Sequence, residues 1–114
     1  MNDKEKILVE NIKEYFNYAV QAYNSKNFNT ATTLFFKALA TLGDLFLLRN
    51  EGKIPSNHSE RFRILQNKYK EIYNLLDKDF PLYQDSYNNR IDKETATVIY
   101  NDVKKLAERF KISL

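Results

Sequence analysis

With 114 residues, a net charge of +3 and a hydrophobic fraction of 43%, the chain is long enough to bury one core without a staple and too short for two ordinary domains. It has no cysteine and one histidine, His58, which excludes disulfide scaffolds, thiol chemistry, histidine-pair catalysis within one chain and the usual soft-metal sites. Only two glycines and two prolines interrupt it, so long uninterrupted elements are expected.

Over residues 3–25, Leu8, Ile12, Tyr15, Ala19 and Ala22 recur at spacings of three and four, which predicts a first helix with one apolar face. Asn24-Ser25-Lys26-Asn27 then breaks the pattern with short polar side chains that compete for backbone hydrogen bonds, so a tight helical hairpin follows. A second helix is predicted over residues 27–51. Phe28, Ala31, Phe35, Ala38, Leu42 and Leu45 mark one face, and Phe36, Leu39, Gly43 and Leu47 mark another. Lys37, Thr41 and Asp44 form a narrow polar stripe between them. A helix apolar nearly all round must be covered on most sides, by its own bundle or by a second copy. Gly43 weakens a helix interior by about 1 kcal/mol relative to alanine, so a neighbouring helix is expected to cross closely there.

Gly52 and Pro55 end this helix, and Asn57-His58-Ser59-Glu60 matches a capping box that opens a third one. Phe62, Leu65, Tyr69, Ile72 and Leu76 continue at helical spacing, which predicts one unbroken third helix through residue 76. Asp79 is then expected to cap a short fourth helix with Pro81 in its first turn, ending near Asn88-Asn89. Asp92 caps a fifth in which Ala96, Ile99, Val103, Leu106 and Phe110 step by three and four, with Lys104, Lys105, Arg109 and Lys111 loading the end that the helix dipole favours. No strand pattern competes. The expected fold is all-α: one domain over residues 1–114, an up-and-down bundle of four long helices and one short one.

The first ten residues carry charges where a signal peptide needs its apolar run, and the most apolar window, residues 33–48, is interrupted and shorter than a hydrocarbon core requires. A buried helix rather than a membrane span, and a cytoplasmic protein, are expected.

Three features in order along residues 28–110 give the chain a family likeness. These are an Ala-rich apolar helix ending in a Gly-x-x-Pro turn (Ala31, Ala38, Gly52, Pro55), a histidine opening the next helix with a leucine soon after (His58, Leu65), and a Tyr-x-x-Arg at the end of a short helix (Tyr87, Arg90) followed by Glu94-Thr95-Ala96. In these the chain resembles the HEPN domains, small prokaryotic all-helical domains often encoded beside a minimal nucleotidyltransferase. The resemblance implies a helical bundle that self-associates as a homodimer or higher homo-oligomer and binds a nucleotide, RNA or a nucleotidyltransferase partner. Family members that cleave RNA carry an arginine four to six residues before the histidine. Here the nearest upstream arginine, Arg49, lies farther off, and Ile91 stands where a tyrosine often follows the family's arginine. The expectation is therefore a non-catalytic module; the alternative is a divergent toxin-type ribonuclease using His58, Arg61 and Arg90 across a dimer interface.

The candidate nucleotide- or phosphate-binding residues are His58, Arg61, Tyr83, Tyr87 and Arg90. A helix N-terminus collects N–H groups and favours anions near His58, although a capping role for that residue is the simpler alternative. Tyr83, Tyr87 and Arg90, at i, i+4 and i+7, lie on one face of the short helix or just past its end, where rings stack a base and a guanidinium holds a phosphate, or else the tyrosines form the outer core with Arg90 solvated or paired to Asp85 or Glu94. Arg49, Lys53, Arg61, Arg63, Lys68 and Lys70 against Glu51 and Glu60 concentrate a net +4 in residues 49–70, either a solvated face or, with Arg61, Lys68 and His58 round a groove, a phosphate-binding one. No catalytic residue, metal site or cofactor is expected, and no Gly-rich phosphate loop is present.

Overall fold

The three-four spacing of apolar residues does build helices. The computed structural model describes residues 2–114 and, among them, five helices and no strand: α1 (Asp3–Asn24), α2 (Phe28–Glu51), α3 (His58–Lys68), α4 (Lys70–Asn88) and α5 (Lys93–Arg109). The residues read as apolar faces are those that pack. Ile12 and Ala19 of α1, Phe35, Leu39, Leu42 and Leu45 of α2, and Ile99 and Val103 of α5 are fully buried.

Helix α2 is the axis of the bundle and packs against α1, α4 and α5. By length and composition α2 would reach across a membrane, contrary to the expectation from the shorter window, but 72% of its apolar stretch is buried inside the protein, as in a core helix. One chain therefore covers α2 without a second copy. Gly43 lies beneath Leu76 and Leu65, whose methyl carbons come within 3.5 Å and 3.9 Å of where a Cβ would stand.

Most helix ends follow the sequence signals. Asn2, Asn57 and Asp92 accept hydrogen bonds from the amides of Glu5, Glu60 and Thr95 at 2.8–2.9 Å. The bond to the Thr95 amide holds the Asp92 carboxyl below its usual range. Gly52 terminates α2 in the left-handed region at φ 80°, its N–H donating to Leu48. The α1–α2 hairpin closes through its backbone rather than through polar side chains. Lys26 takes φ 63°, and the amides of Lys26 and Asn27 reach back to the carbonyls of Tyr23 and Ala22, a Schellman ending on a non-glycine residue.

Two boundaries differ from expectation. The third helix does not run through residue 76; it breaks at Tyr69, whose ψ of 65° lets α4 turn away from α3. Glu51, at the end of α2, secures this kink by accepting from the Tyr69 hydroxyl at 2.5 Å and from Lys68 at 2.9 Å, and the Tyr69 ring meets Phe46 edge-on. Glu51 is accordingly held below its usual range and the Tyr69 phenol above its own. The short helix is thus α3 rather than the fourth. Asp79 is no cap and Pro81 is not in a first turn; both lie inside the 19-residue α4. Pro81 removes one helical hydrogen bond, and since Pro81 and Asp77 are both exposed, the loss falls on the solvent side.

At the far end of α4, Asn29 of α2 acts as a three-bond clamp. Its amide nitrogen donates to the carbonyls of Ser86 and Asn89, and its oxygen accepts from the Ile91 amide at 2.9 Å. This fixes the α4–α5 connection against α2 and leaves Ile91 buried.

The room above Gly43 sets a test of the packing. Because a methyl there meets only ordinary van der Waals neighbours, Gly43→Ala is expected to stabilise the fold by about 1 kcal/mol through helix propensity. Urea denaturation measures it, and a loss of stability would mean that α3 and α4 pack more tightly on α2 than described.

Candidate functional site

The polar stripe of α2 faces the start of α3. Phe36, Lys37, Ala40 and Thr41 of α2, His58 and Arg61 from the first turn of α3, Tyr83 of α4 and Tyr15 of α1 line a cleft of about 210 Å³. Asp44 does not line it but pairs with Arg61, and the two side chains are only 10–11% exposed. The guanidinium grips the carboxylate with two bonds, Nε to Oδ1 at 2.6 Å and Nη2 to Oδ2 at 2.9 Å. Planar two-point pairing of this kind is the geometry in which a buried ion pair is best compensated for lost hydration.

The remaining guanidinium nitrogen, Nη1, donates to Nδ1 of His58 at 2.5 Å. Guanidinium has no lone pair to accept with, so Nδ1 is the acceptor and the imidazole proton resides on Nε2. Burial, and then the positive charge of Arg61, hold His58 below its ordinary pKa, with Asp44 opposing and Lys37 reinforcing the shift. His58 is therefore a neutral ring of fixed tautomer with an exposed edge.

Behind it stands an aromatic wall. The rings of Phe36 and Tyr83 stack at 4.8 Å, and Phe80 lies 5.6 Å from both His58 and Phe36 and 5.3 Å from Phe62. The Tyr83 and Tyr87 hydroxyls are 2.8 Å apart. Burial, with this bond second, pushes the Tyr83 phenol up to about 12. Thr41 turns its hydroxyl inward to the Lys37 carbonyl at 2.6 Å, leaving the exposed Lys37 ammonium at the cleft with no carboxylate within ion-pairing distance among the described residues.

Of the five residues picked from sequence, His58, Arg61 and Tyr83 meet in this cleft and Tyr87 joins through its hydroxyl. Arg90 does not line it. It lies exposed past the end of α4, paired with neither Asp85 nor Glu94. Lys68 is also elsewhere, bound to Glu51, so the groove of Arg61, Lys68 and His58 does not form. The +4 of the basic segment is partly neutralised from outside it, since Arg49 and Arg61 pair with Glu5 and Asp44. Sequence reasoning passed over Tyr15, Lys37, Thr41 and Asp44 as site residues. The available signal was a lone carboxylate on an apolar helix, which needs a cation, with Arg61 at the start of the next helix.

This arrangement offers an ammonium, an imidazole N–H and aromatic faces, but no free general base. Nδ1 already accepts from Arg61, and Nε2 carries the proton. Arg61 is likewise committed to Asp44 and is not available to a migrating phosphate charge. No protein-family model, curated protein or solved structure matches the chain.

Removing one partner of the buried pair strands the other. Arg61→Met is expected to cost about 3–5 kcal/mol in urea unfolding, and adding Asp44→Leu to it should recover a substantial part of that loss. Equal stability of the single and double variants would show that Asp44 is solvated rather than held by Arg61.

Proposed function

We propose that the chain is a non-catalytic, HEPN-like helical binding module that takes a phosphate-bearing small molecule, a nucleotide by the family resemblance, in the cleft lined by α1, α2, α3 and α4. The observation that carries this reading is the Asp44–Arg61–His58 chain, which presents the imidazole as a fixed hydrogen-bond donor while occupying the base and the guanidinium that RNA cleavage would need. Lys37 supplies the charge for a phosphate, and Tyr15 and Tyr83 supply ring surface for an aromatic group.

Association with a second copy or with a minimal nucleotidyltransferase belongs to the same proposal. It rests on the resemblance, because burial of α2 is complete enough within one chain not to require a partner. A cytoplasmic setting, where nucleotides and such partners occur, goes with it.

The test is calorimetric titration with nucleoside mono-, di- and triphosphates. Binding should weaken about tenfold or more in Lys37→Gln, the loss of one charge-assisted contact, with folding intact because Lys37 is exposed and makes no ion pair among the described residues. Incubation with mixed RNA should leave the RNA whole. Absence of binding to every nucleotide would remove the proposal, and RNA cleavage abolished by His58→Ala would replace it with the catalytic alternative.

A further inference from the structure

The polar groups at the seam between α4 and α5 belong to no part of the cleft. Asp79 of α4 is fully buried, and neither of its carboxyl oxygens accepts a hydrogen bond in the described structure. Asp102 of α5 is buried as well, and Lys78 lies within 4 Å of both carboxylates. Among the described residues the one cation paired with either is Lys78, whose Nζ stands 2.8 Å from Asp102 Oδ2 and 3.8 Å from Asp79 Oδ1. The charges acting on Asp79 are those of Lys78 on its own helix and Asp102 on α5; α2 and α3, which also pack on α4, contribute none.

Two carboxylates and one ammonium leave an excess negative charge in a buried place. Lys78 is half-exposed and nearer to Asp102, so it compensates Asp102 and leaves Asp79 unserved. The remaining remedy is a proton: a neutral Asp79 donates its O–H to the Asp102 carboxylate, and the trio of Lys78, Asp79 and Asp102 is then electrically neutral.

We propose that Asp79 and Asp102 share a single proton and form a proton-held latch on the α4–α5 seam, closed while Asp79 is neutral and loosened when its proton passes to solvent. Burial first, then the hydrogen bond and charge of Asp102, push the Asp79 carboxyl up from 3.8 to about 8. At neutral pH the latch is closed. Its proton is held by the folded chain and not by the unfolded one, whose Asp79 has the ordinary carboxylate value. Stability from this pair is therefore greatest in acid, falls as pH rises through the interval up to about 8, and changes little beyond it. This is opposite in sign to a salt-bridged carboxylate. The latch is independent of whether the cleft takes a ligand.

Asp79→Asn keeps the shape and the donor to Asp102 while removing the titration. Urea unfolding of the full chain and of this variant in parallel cancels the contribution of every other group. Between about pH 6 and about pH 8 the folding constant of the native sequence should fall roughly fiftyfold relative to the variant. Parallel curves would overturn the latch. Carboxyl-carbon NMR of Asp79 in the native sequence gives a second reading that does not depend on the variant folding. A midpoint near 8 supports the shared proton, and a midpoint in the ordinary carboxylate range contradicts it.

Discussion

A single carboxylate on the most apolar helix is the constraint on which the site depends. Asp44 sits among Leu42, Gly43, Leu45 and Leu47, all buried, so wherever α2 is enclosed Asp44 is enclosed with it. An unpaired charge there would outweigh the gain from several of its apolar neighbours. Arg61 answers it from the first turn of α3, and this requires the chain to double back after Gly52 and lay α3 across the C-terminal half of α2. The left-handed turn at Gly52, the break at Pro55 and the cap at Asn57 bring Arg61 to that place.

The same pairing organises the chemistry of the cleft. Arg61 reaches Asp44 of α2 with two nitrogens and His58, three residues back on its own helix, with the third, so the ion pair fixes the guanidinium and the guanidinium orients the imidazole. The aromatic wall then shields its apolar side, while Lys37, one residue on from the stacked Phe36, is left at the opening. A buried ion pair of this sort adds little net stability. Its evident consequence here is local order: it fixes one tautomer and one ring orientation at the site.

Helix existence was legible because burial of one core imposes three-four spacing, and Ile12, Phe35, Leu42, Ile99 and Val103 each lie where that spacing puts them. The kink at Tyr69 was not legible, since Leu65, Tyr69, Ile72 and Leu76 keep helical spacing straight through it and no glycine or proline marks the break. What accompanies it is a tertiary contact, the Tyr69 hydroxyl bonded to Glu51 of α2, which no local pattern announces. Asp79 preceding Phe80-Pro81 carries the local signature of a cap, but α4 already runs from Lys70 and carries Asp79 inside the helix and into the buried interior. At the site, His58 and Arg61 were found from local signals, a helix start and a basic run. Asp44 and Lys37 were seen as a stripe but not as a site, because their significance lies in a neighbour that joins them only after the chain turns. Arg90 lies past the end of α4, one of the two positions its spacing allowed, and there it does not reach the cleft that Tyr83 lines.

The most direct measurement of this account is imidazole nitrogen-15 NMR of His58 across pH. With Arg61 donating to Nδ1, the neutral ring should carry its proton on Nε2, and the titration midpoint should lie below the ordinary histidine value of 6.5. A proton on Nδ1, or a midpoint above that value, would contradict the Asp44–Arg61–His58 chain and the reading of the cleft built on it.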